Sequence, residues 1–193
     1  MKLRIIKVGG SLFDLADLPE RLGAWLKQQA PGVNLLVPGG GALADCVRRY
    51  DATFAMDEAY VHGVAVATMR LLASILSRVC ELPLVDEPPT IGPATVVLDV
   101  RRLMLREPAA PGLALRATWD VTSDSICARL TQLLAADELW LLKSVTPAAA
   151  GLEQLVQEGI VDPEFPHYIA ESSATWQVIN LREPTWRDHR AGP

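Results

Sequence analysis

Two strand-like segments of this chain each end in a cluster of glycines that is followed by a helical pattern. The first segment covers residues 3–8 and the second covers residues 33–37. Their turn residues are Gly9, Gly10 and Ser11 in the first case, and Gly39, Gly40 and Gly41 in the second. Glycine permits positive φ angles and close approach of backbone to a ligand, although a tight turn alone would explain either cluster. In an α/β sheet such turns lie at the carboxyl ends of the strands, where ligands bind.

Strand-like and helix-like segments alternate along most of the chain. Further strands are predicted at residues 83–85, 94–100, 138–142 and 175–181. Helices are predicted at residues 18–26, from about residue 42, and at residues 64–79, 126–134 and 148–159. The helix over residues 64–79 is marked by an apolar stripe of Val64, Leu71, Leu72, Ile75 and Val79. The alternation predicts an α/β fold, a three-layer αβα sandwich with a mostly parallel central sheet. The length favours a single domain over residues 1–193.

Charge and cysteine content exclude several classes of protein. The chain has 18 basic and 23 acidic residues and a net charge of −5, so it presents no overall basic field to nucleic acid. Its three cysteines include no Cys-x-x-Cys pair, which argues against a disulfide framework or a zinc site.

No apolar run reaches the roughly 20 residues of a membrane span, and the N-terminus does not read as a signal peptide. We therefore expect a cytoplasmic protein without nucleic-acid or membrane partners. The residues expected to pack rather than to stack on bases are Trp119, Trp140, Trp176 and Trp186.

Lys7 and Asp124 are the charged residues with the strongest case for a functional role. Lys7 lies inside the first apolar strand, and a buried ammonium group is costly unless it is paired with an anion. A solvent-exposed lysine on an edge strand is the alternative. Asp124 stands at the start of the helix that contains Ile126. Its carboxylate could cap that helix, orient Lys7 toward a transferring phosphate, or help to hold Mg²⁺.

Four segments, taken together and in order, resemble the amino acid kinase family. They are Ile6-Lys7-Val8-Gly9-Gly10-Ser11, Leu36-Val37-Pro38-Gly39-Gly40-Gly41, Thr122-Ser123-Asp124-Ser125-Ile126-Cys127-Ala128 and Leu141-Leu142-Lys143-Ser144-Val145. The resemblance implies the carbamate kinase-like fold of that family, ATP and Mg²⁺ as cofactors, a small-molecule phosphoryl acceptor and a homodimer. Within the family, residues 159–163 are similar to the members that convert aminomethylfuran phosphate to a diphosphate in methanofuran biosynthesis.

The resemblance also implies roles for individual residues. Lys7 would stabilise the transferring phosphoryl group, and Asp124 would organise that lysine. Contacts with phosphate or nucleotide are implied for Gly9, Gly10, Ser11, Gly39, Gly40, Gly41, Lys143 and Ser144. Asp57, His62 and Ser123 are candidates for contacts with the acceptor, with a solvated helix start as the alternative for Asp57 and His62. No residue is predicted to ligate a metal directly, and the nearby acidic side chains are interpreted as a polar face.

The chain departs from the family pattern near its fifth strand. Relatives carry Thr-Asp-Val where this chain has Lys143-Ser144-Val145, and no lysine follows Lys143. The family's second phosphate-binding lysine is therefore missing from its usual place, and Lys143 or Arg182 could substitute. Without a substitute, the chain would bind a nucleotide or another oxyanion without turnover. A kinase that acts on a carboxylate is a further alternative.

Overall fold

The computed structural model describes residues 1–110, 112–148, 151–183 and 188–190, and Trp186 lies outside these ranges. They form a sheet of seven strands: β1 (Lys2–Val8), β2 (Gly32–Pro38), β3 (Leu84–Val85), β4 (Ala94–Leu98), β5 (Glu138–Lys143), β6 (Thr175–Asn180) and β7 (Asp188–Arg190). The strand order is β3-β4-β2-β1-β5-β6-β7. Neighbouring strands are parallel except for β6 and β7, which pair antiparallel. The predicted mostly parallel sheet is confirmed.

Helices cover both faces of this sheet, so the predicted αβα sandwich is also confirmed. The α-helices are α1 (Leu18–Leu26), α2 (Gly41–Phe54), α3 (Glu58–Val79), α4 (Arg101–Arg106), α5 (Ser123–Leu133), α6 (Leu152–Gln157) and α7 (Phe165–Ala170). Short 3-10 helices occupy Gly10–Asp14 and Glu107–Ala109. The six-residue helices α4 and α7 lie where no helix was predicted, and α2 has 14 residues rather than being short.

Two hydrophobic cores lie on opposite faces of the sheet because successive residues of a strand point to opposite sides. In β1, Ile5 belongs to the core that contains Phe165 of α7, and Ile6 belongs to the core that contains Leu22 of α1. The strands on either side of β1 alternate in the same way. Burial on both faces is expected of parallel strands covered by helices. Because β2, β1 and β5 are adjacent and parallel, their carboxyl ends lie side by side in the middle of the sheet.

The buried face of α3 differs from the face that the apolar stripe predicted. Leu71, Ile75 and Val79 are 56%, 48% and 46% exposed. The apolar side chains that pack are Val61, Val66, Met69, Leu72, Ala73 and Leu76. Because α3 is apolar around most of its circumference, residue spacing does not identify the stripe that faces the sheet.

α3 is also the one helix within the described ranges that could cross a membrane by length and composition alone. It has 22 residues, a mean hydropathy of 1.5 over its most apolar window, and 39% of that window is buried in the fold. Met69 packs in one core and Leu76 packs in the other. These contacts make α3 a core helix of the sandwich.

Candidate active site

The two glycine turns lie against each other at the carboxyl edge of the sheet. β1 and β2 are adjacent and parallel, with Lys7 opposite Val37. A Cβ atom on Gly10 would lie 2.4 Å from the Cα atom of Gly41, and Gly41 has a φ of +52°. A side chain at Gly10 would push the turns apart, so their contact depends on glycine.

Lys7, Asp124 and Lys143 form a largely buried cluster of charges beside these turns, with the side chain of Lys143 12% exposed. Lys143 donates hydrogen bonds to both carboxylate oxygens of Asp124, at 2.8 and 2.7 Å. The Nζ atom of Lys7 lies 2.9 Å from Oδ1 of the same carboxylate. Lys7 comes from β1, Lys143 ends the adjacent strand β5, and Asp124 lies in the first turn of α5. Lys7 is 5% exposed on a central strand, so the alternative of an exposed edge lysine is wrong.

Two ammonium groups around one carboxylate leave the cluster with one excess positive charge. Burial opposes ionisation of Asp124, but Lys143 and Lys7 together lower the pKa of Asp124 to about 2. Burial, with the charge of Lys7, lowers the pKa of Lys143 to about 8 even though Asp124 opposes that shift. Burial also disfavours the charged form of Lys7, but Asp124 raises the pKa of Lys7 overall. An anionic ligand would offset the excess charge and favour both protonated lysines.

Asp124 does not cap α5, which was one alternative for this residue. The N-cap is Thr122, whose Oγ1 atom accepts a hydrogen bond from the backbone N–H of Asp124 at 3.4 Å. The carboxylate of Asp124 contacts the two lysines instead. Its contact with Lys7 is the one that an orienting role requires.

The glycines differ in what their backbone N–H groups can offer a ligand. The N–H of Gly9 donates to a carbonyl of β5 at 2.8 Å, and the N–H of Gly39 donates to a carbonyl of β1 at 2.9 Å. These two groups are committed to the sheet. Gly10, Gly40 and Gly41 are the remaining candidates for a phosphate cradle.

Ser11 and Ser144 join the first glycine turn to the end of β5, because their Oγ atoms are 2.8 Å apart. Arg182 donates to the carbonyl oxygen of Ser11 at 2.9 Å and to a nearby carboxylate at 2.5 Å. Arg182 therefore contacts the turn, whereas Lys143 contacts Asp124 directly. Of the two candidates for the second lysine, the geometry favours Lys143.

A cavity of about 230 Å³ opens beside the cluster and is lined by Lys7 and by the predicted acceptor contacts His62 and Ser123. Asp57 lies outside this lining, and its carboxylate caps α3 by accepting from a backbone N–H at 2.9 Å. The Nδ1 atom of His62 lies 3.2 Å from the carbonyl oxygen of Thr118. Burial lowers the pKa of His62, which favours a neutral ring with Nδ1–H as the donor.

Trp119 and Arg48 also line the cavity, and the sequence does not predict this position for either residue. The guanidinium of Arg48 lies 4.8 Å from the centre of the Trp119 ring, and Nε1 of that ring donates to Asp51 at 2.8 Å. Trp119 stands in an irregular segment without periodic spacing, so no sequence pattern places it at the cavity. The packing predicted for Trp140 and Trp176 is confirmed by edge-to-face contacts with other aromatic rings.

The donor set of the site does not form a metal cage. Within the described ranges, no group of three or more His, Cys, Asp or Glu side chains could hold a metal ion. Both carboxylate oxygens of Asp124 accept hydrogen bonds from lysine, and the positive charges of Lys7 and Lys143 disfavour a cation beside it. An Mg²⁺ ion that accompanies a nucleotide usually keeps phosphate oxygens and water as ligands, which is compatible with this site.

Comparison with known proteins finds kinases among the proteins that this chain is similar to. No family model matches the chain. The chain is 25% identical over 203 residues to [5-(aminomethyl)furan-3-yl]methyl phosphate kinase from Methanocaldococcus jannaschii, and the match covers 94% of this chain and 89% of that protein.

Solved structures show the same fold. A uridylate kinase from Archaeoglobus fulgidus matches with a TM-score of 0.62 and 17% identity, covering 91% of this chain and 89% of that one. An aspartate kinase from Synechocystis matches with a TM-score of 0.64 and 12% identity over 98% of this chain, which spans 40% of that longer protein. The chain therefore has the fold of the amino acid kinases, and the resemblance to the amino acid kinase family is confirmed.

Proposed function

We propose that this protein is a kinase that transfers the γ-phosphoryl group of ATP to a small anionic acceptor, a phosphomonoester such as aminomethylfuran phosphate. The observation that carries the proposal is the cluster of Lys7, Asp124 and Lys143 at the junction of the two glycine turns. To catalyse phosphoryl transfer, a protein mainly positions the two substrates and neutralises the charge that spreads over the transferring phosphoryl group. Two largely buried ammonium groups, beside glycine turns whose backbone can approach a phosphate closely, meet both needs.

The three charged residues have separate tasks in this mechanism. Lys7 and Lys143 would contact oxygens of the transferring phosphoryl group from two neighbouring strands. Asp124 would hold the two ammonium groups at a fixed separation, since both lysines contact its carboxylate. Lys143 would thereby serve as the second phosphate-binding lysine, in a position where most relatives have another residue.

The acceptor would bring its own negative oxygen. Asp124 has a pKa of about 2 and both of its oxygens bind lysine, so it is a poor base for deprotonating an alcohol. An oxygen of a phosphomonoester is already anionic. That oxygen forms a bond to the γ-phosphorus while the bond from this phosphorus to the bridging oxygen breaks, and ADP leaves with that oxygen. The products are a diphosphate monoester and ADP.

We assign donor and acceptor to separate places at the carboxyl edge of the sheet. The cavity extends from Lys7 toward α2 and α3, where His62 and Trp119 line it, and we assign it to the acceptor. The ends of β5 and β6, with Ser144 and Arg182, lie on the other side of β1, and we assign them to the nucleotide. Mg²⁺, when bound with ATP, would supply further charge neutralisation through the phosphate oxygens.

The printed name of the Methanocaldococcus jannaschii relative supports a phosphomonoester acceptor, and the match spans most of both chains. At 25% identity, it makes aminomethylfuran phosphate the first compound to test. A carboxylate acceptor would give an acyl phosphate by the same step. The homodimer and the cytoplasmic location stay predictions.

The second candidate function is nucleotide or oxyanion binding without turnover. The argument for it was the missing second lysine. Lys143 lies in hydrogen-bond contact with Asp124, as the kinase proposal requires of a substitute, and this observation favours the kinase.

Two measurements test the proposal. Calorimetric titration with ATP·Mg²⁺ measures donor binding, and a coupled assay of ADP formation measures transfer to aminomethylfuran phosphate, uridine monophosphate, acetylglutamate and glycerol. We expect ATP binding, ADP formation with a phosphomonoester and none with glycerol. Binding of ATP without ADP formation from any acceptor would favour the binding protein instead.

A matched pair of variants ties the result to the site. Lys7→Met should abolish ADP formation, because Lys7 lies in the cluster and lines the cavity. Lys27→Met removes an exposed lysine that follows α1 and should leave ADP formation unchanged. Equal loss in both variants would show that the activity does not come from this site.

A further inference from the structure

A second buried carboxylate, Asp162, contacts the turn that carries Asp124. Asp162 lies in the segment between α6 and α7 and is 6% exposed. The chemistry proposed above does not use it. Its position nevertheless connects it to the site, because Asp124 is the second residue of α5 and Asp162 binds residues on both sides of Asp124.

Six hydrogen bonds converge on the Asp162 carboxylate. Its Oδ2 atom accepts from the backbone N–H of Thr122 at 2.9 Å, from Oγ1 of Thr122 at 2.7 Å and from the backbone N–H of Ser125 at 3.0 Å. Its Oδ1 atom accepts from Oγ of Ser125 at 2.5 Å. Oδ1 also accepts from the backbone N–H groups of Glu164 and Phe165, at 3.1 and 2.8 Å.

These hydrogen bonds stabilise the start of α5 more effectively than its N-cap residue does. The side chain of Thr122 accepts from the N–H of Asp124 at 3.4 Å, a long hydrogen bond. Asp162 instead satisfies the N–H of Ser125, one of the free donors at a helix start, and its negative charge lies at the positive end of the helix dipole. Asp162 thus links residues 122 and 125 to the start of α7, and Asp124 lies between them.

We propose that Asp162 is a positioning residue, which clamps the first turn of α5 to α7 and thereby sets the Asp124 carboxylate between Lys7 and Lys143. Its effect on activity rests on the proposed function. The clamp itself can be tested without any substrate, through the titration of Lys143, which contacts Asp124.

The test is an NMR titration of the lysine side chains in the ligand-free full chain. The chain has four lysines, so each can be assigned by its own methionine variant. The charged groups that face Lys143 are Asp124 and Lys7, and the neighbouring Cys127 thiol is neutral because burial raises its pKa. The titration midpoint of Lys143 therefore reports how closely Asp124 is held.

Asp162→Asn keeps the size of the side chain but replaces one accepting oxygen by an amide that donates. If the clamp positions Asp124, this carboxylate moves away from Lys143, and the midpoint of Lys143 falls by roughly half a pH unit or more. The matched control is Thr131→Val, which removes the partly buried hydrogen bond of 2.6 Å between Oγ1 of Thr131 and Oγ of Ser172, far along α5 from Asp124. We expect the control to lower stability without moving the midpoint.

An unchanged midpoint in Asp162→Asn, or an equal shift in both variants, would overturn the proposal. Should Asp162→Asn fail to fold, Ser125→Ala decides by the same criterion, because it removes only the bond from Oγ of Ser125. In a kinase assay, the positioning role also predicts that Asp162→Asn lowers kcat by about tenfold or more with a much smaller change in the acceptor KM. Absence of all activity in the wild type would count against the proposed function, while the NMR result would still judge the clamp.

Discussion

The ammonium group of Lys143 contacts both carboxylate oxygens of Asp124, at 2.8 and 2.7 Å, whereas Lys7 contacts only one of them, at 2.9 Å. One carboxylate therefore holds two lysines from adjacent strands. The arrangement leaves one positive charge unbalanced in a buried place, and such a charge is costly unless a ligand compensates it.

Lys143→Met should remove activity but not the fold. The remaining pair of Lys7 and Asp124 is balanced in charge, so we expect the melting temperature to stay equal or rise. Loss of one contact to the transferring phosphoryl group should lower kcat/KM by roughly 100-fold or more. Steady-state kinetics and a thermal melt check this, with Lys27→Met as the control. Wild-type kcat/KM in Lys143→Met would exclude Lys143 as the second lysine.

The activity should fall as the pH rises through about 8. Lys143 has a pKa of about 8, so its ammonium form predominates below this pH and is lost above it. Since kcat/KM reports groups of the free enzyme, its pH profile should show one descending limb there. A limb near 10.5, the ordinary lysine value, would contradict the electrostatics described for the cluster.

Asp124→Asn should destabilise the protein strongly. It leaves Lys7 and the largely buried Lys143 next to each other without a counter-charge, and breaking a buried ion pair from one side typically costs about 3–5 kcal/mol. The free energy of unfolding in urea measures this cost. Asp120→Asn changes an exposed carboxylate a few residues earlier and should cost much less. Equal stability of the two variants would mean that the cluster contributes little to folding.

Gly10→Ala should separate the two glycine turns. The added Cβ would lie 2.4 Å from the Cα of Gly41, a distance that backbone must relieve by moving. We expect a large loss of ATP affinity in calorimetry. The control is Gly23→Ala in α1, where nothing lies within 4 Å of the added atom and a gain of about 0.5–1 kcal/mol in stability is expected. Unchanged ATP affinity in Gly10→Ala would remove the turns from the phosphate site.

Trp119→Ala should weaken acceptor binding and spare ATP binding. Trp119 lines the cavity that we assign to the acceptor, and its ring supports Arg48. The expected result is a higher acceptor KM with an unchanged dissociation constant for ATP. Trp176→Phe is the control, because Trp176 packs against Phe165. A loss of ATP affinity in Trp119→Ala would mean that the cavity binds ATP, which would contradict our assignment of the cavity to the acceptor.

The sequence predicts the sheet and part of the site because both depend on local pattern. The central strands are short apolar runs, and glycines mark their ends, so β1 and β2 and their turns follow from the residues alone. Lys7 stands out because it is charged within an apolar strand, and Asp124 stands out because it lies at the start of a helix that follows a polar turn. The structure brings these two together, at 2.9 Å.

The rest depends on contacts between distant segments. Lys143 contacts Asp124 because β5 lies beside β1. A local sequence pattern does not predict the order of strands in a sheet. The six-residue helix α7 is too short for periodicity to reveal it. Asp162 acts on residues about 40 positions earlier in the chain, and only the packing of α7 against α5 brings them together.

The most direct test of the central claim is phosphorus NMR of ATP, Mg²⁺ and aminomethylfuran phosphate with the wild-type protein and with Lys7→Ala. We predict that the wild type converts the γ-phosphate signal of ATP and the monoester signal into ADP and a coupled pair of diphosphate signals, while Lys7→Ala leaves the spectrum unchanged. Conversion at the wild-type rate by a folded Lys7→Ala variant would contradict the assignment of Lys7, Asp124 and Lys143 as the site of phosphoryl transfer.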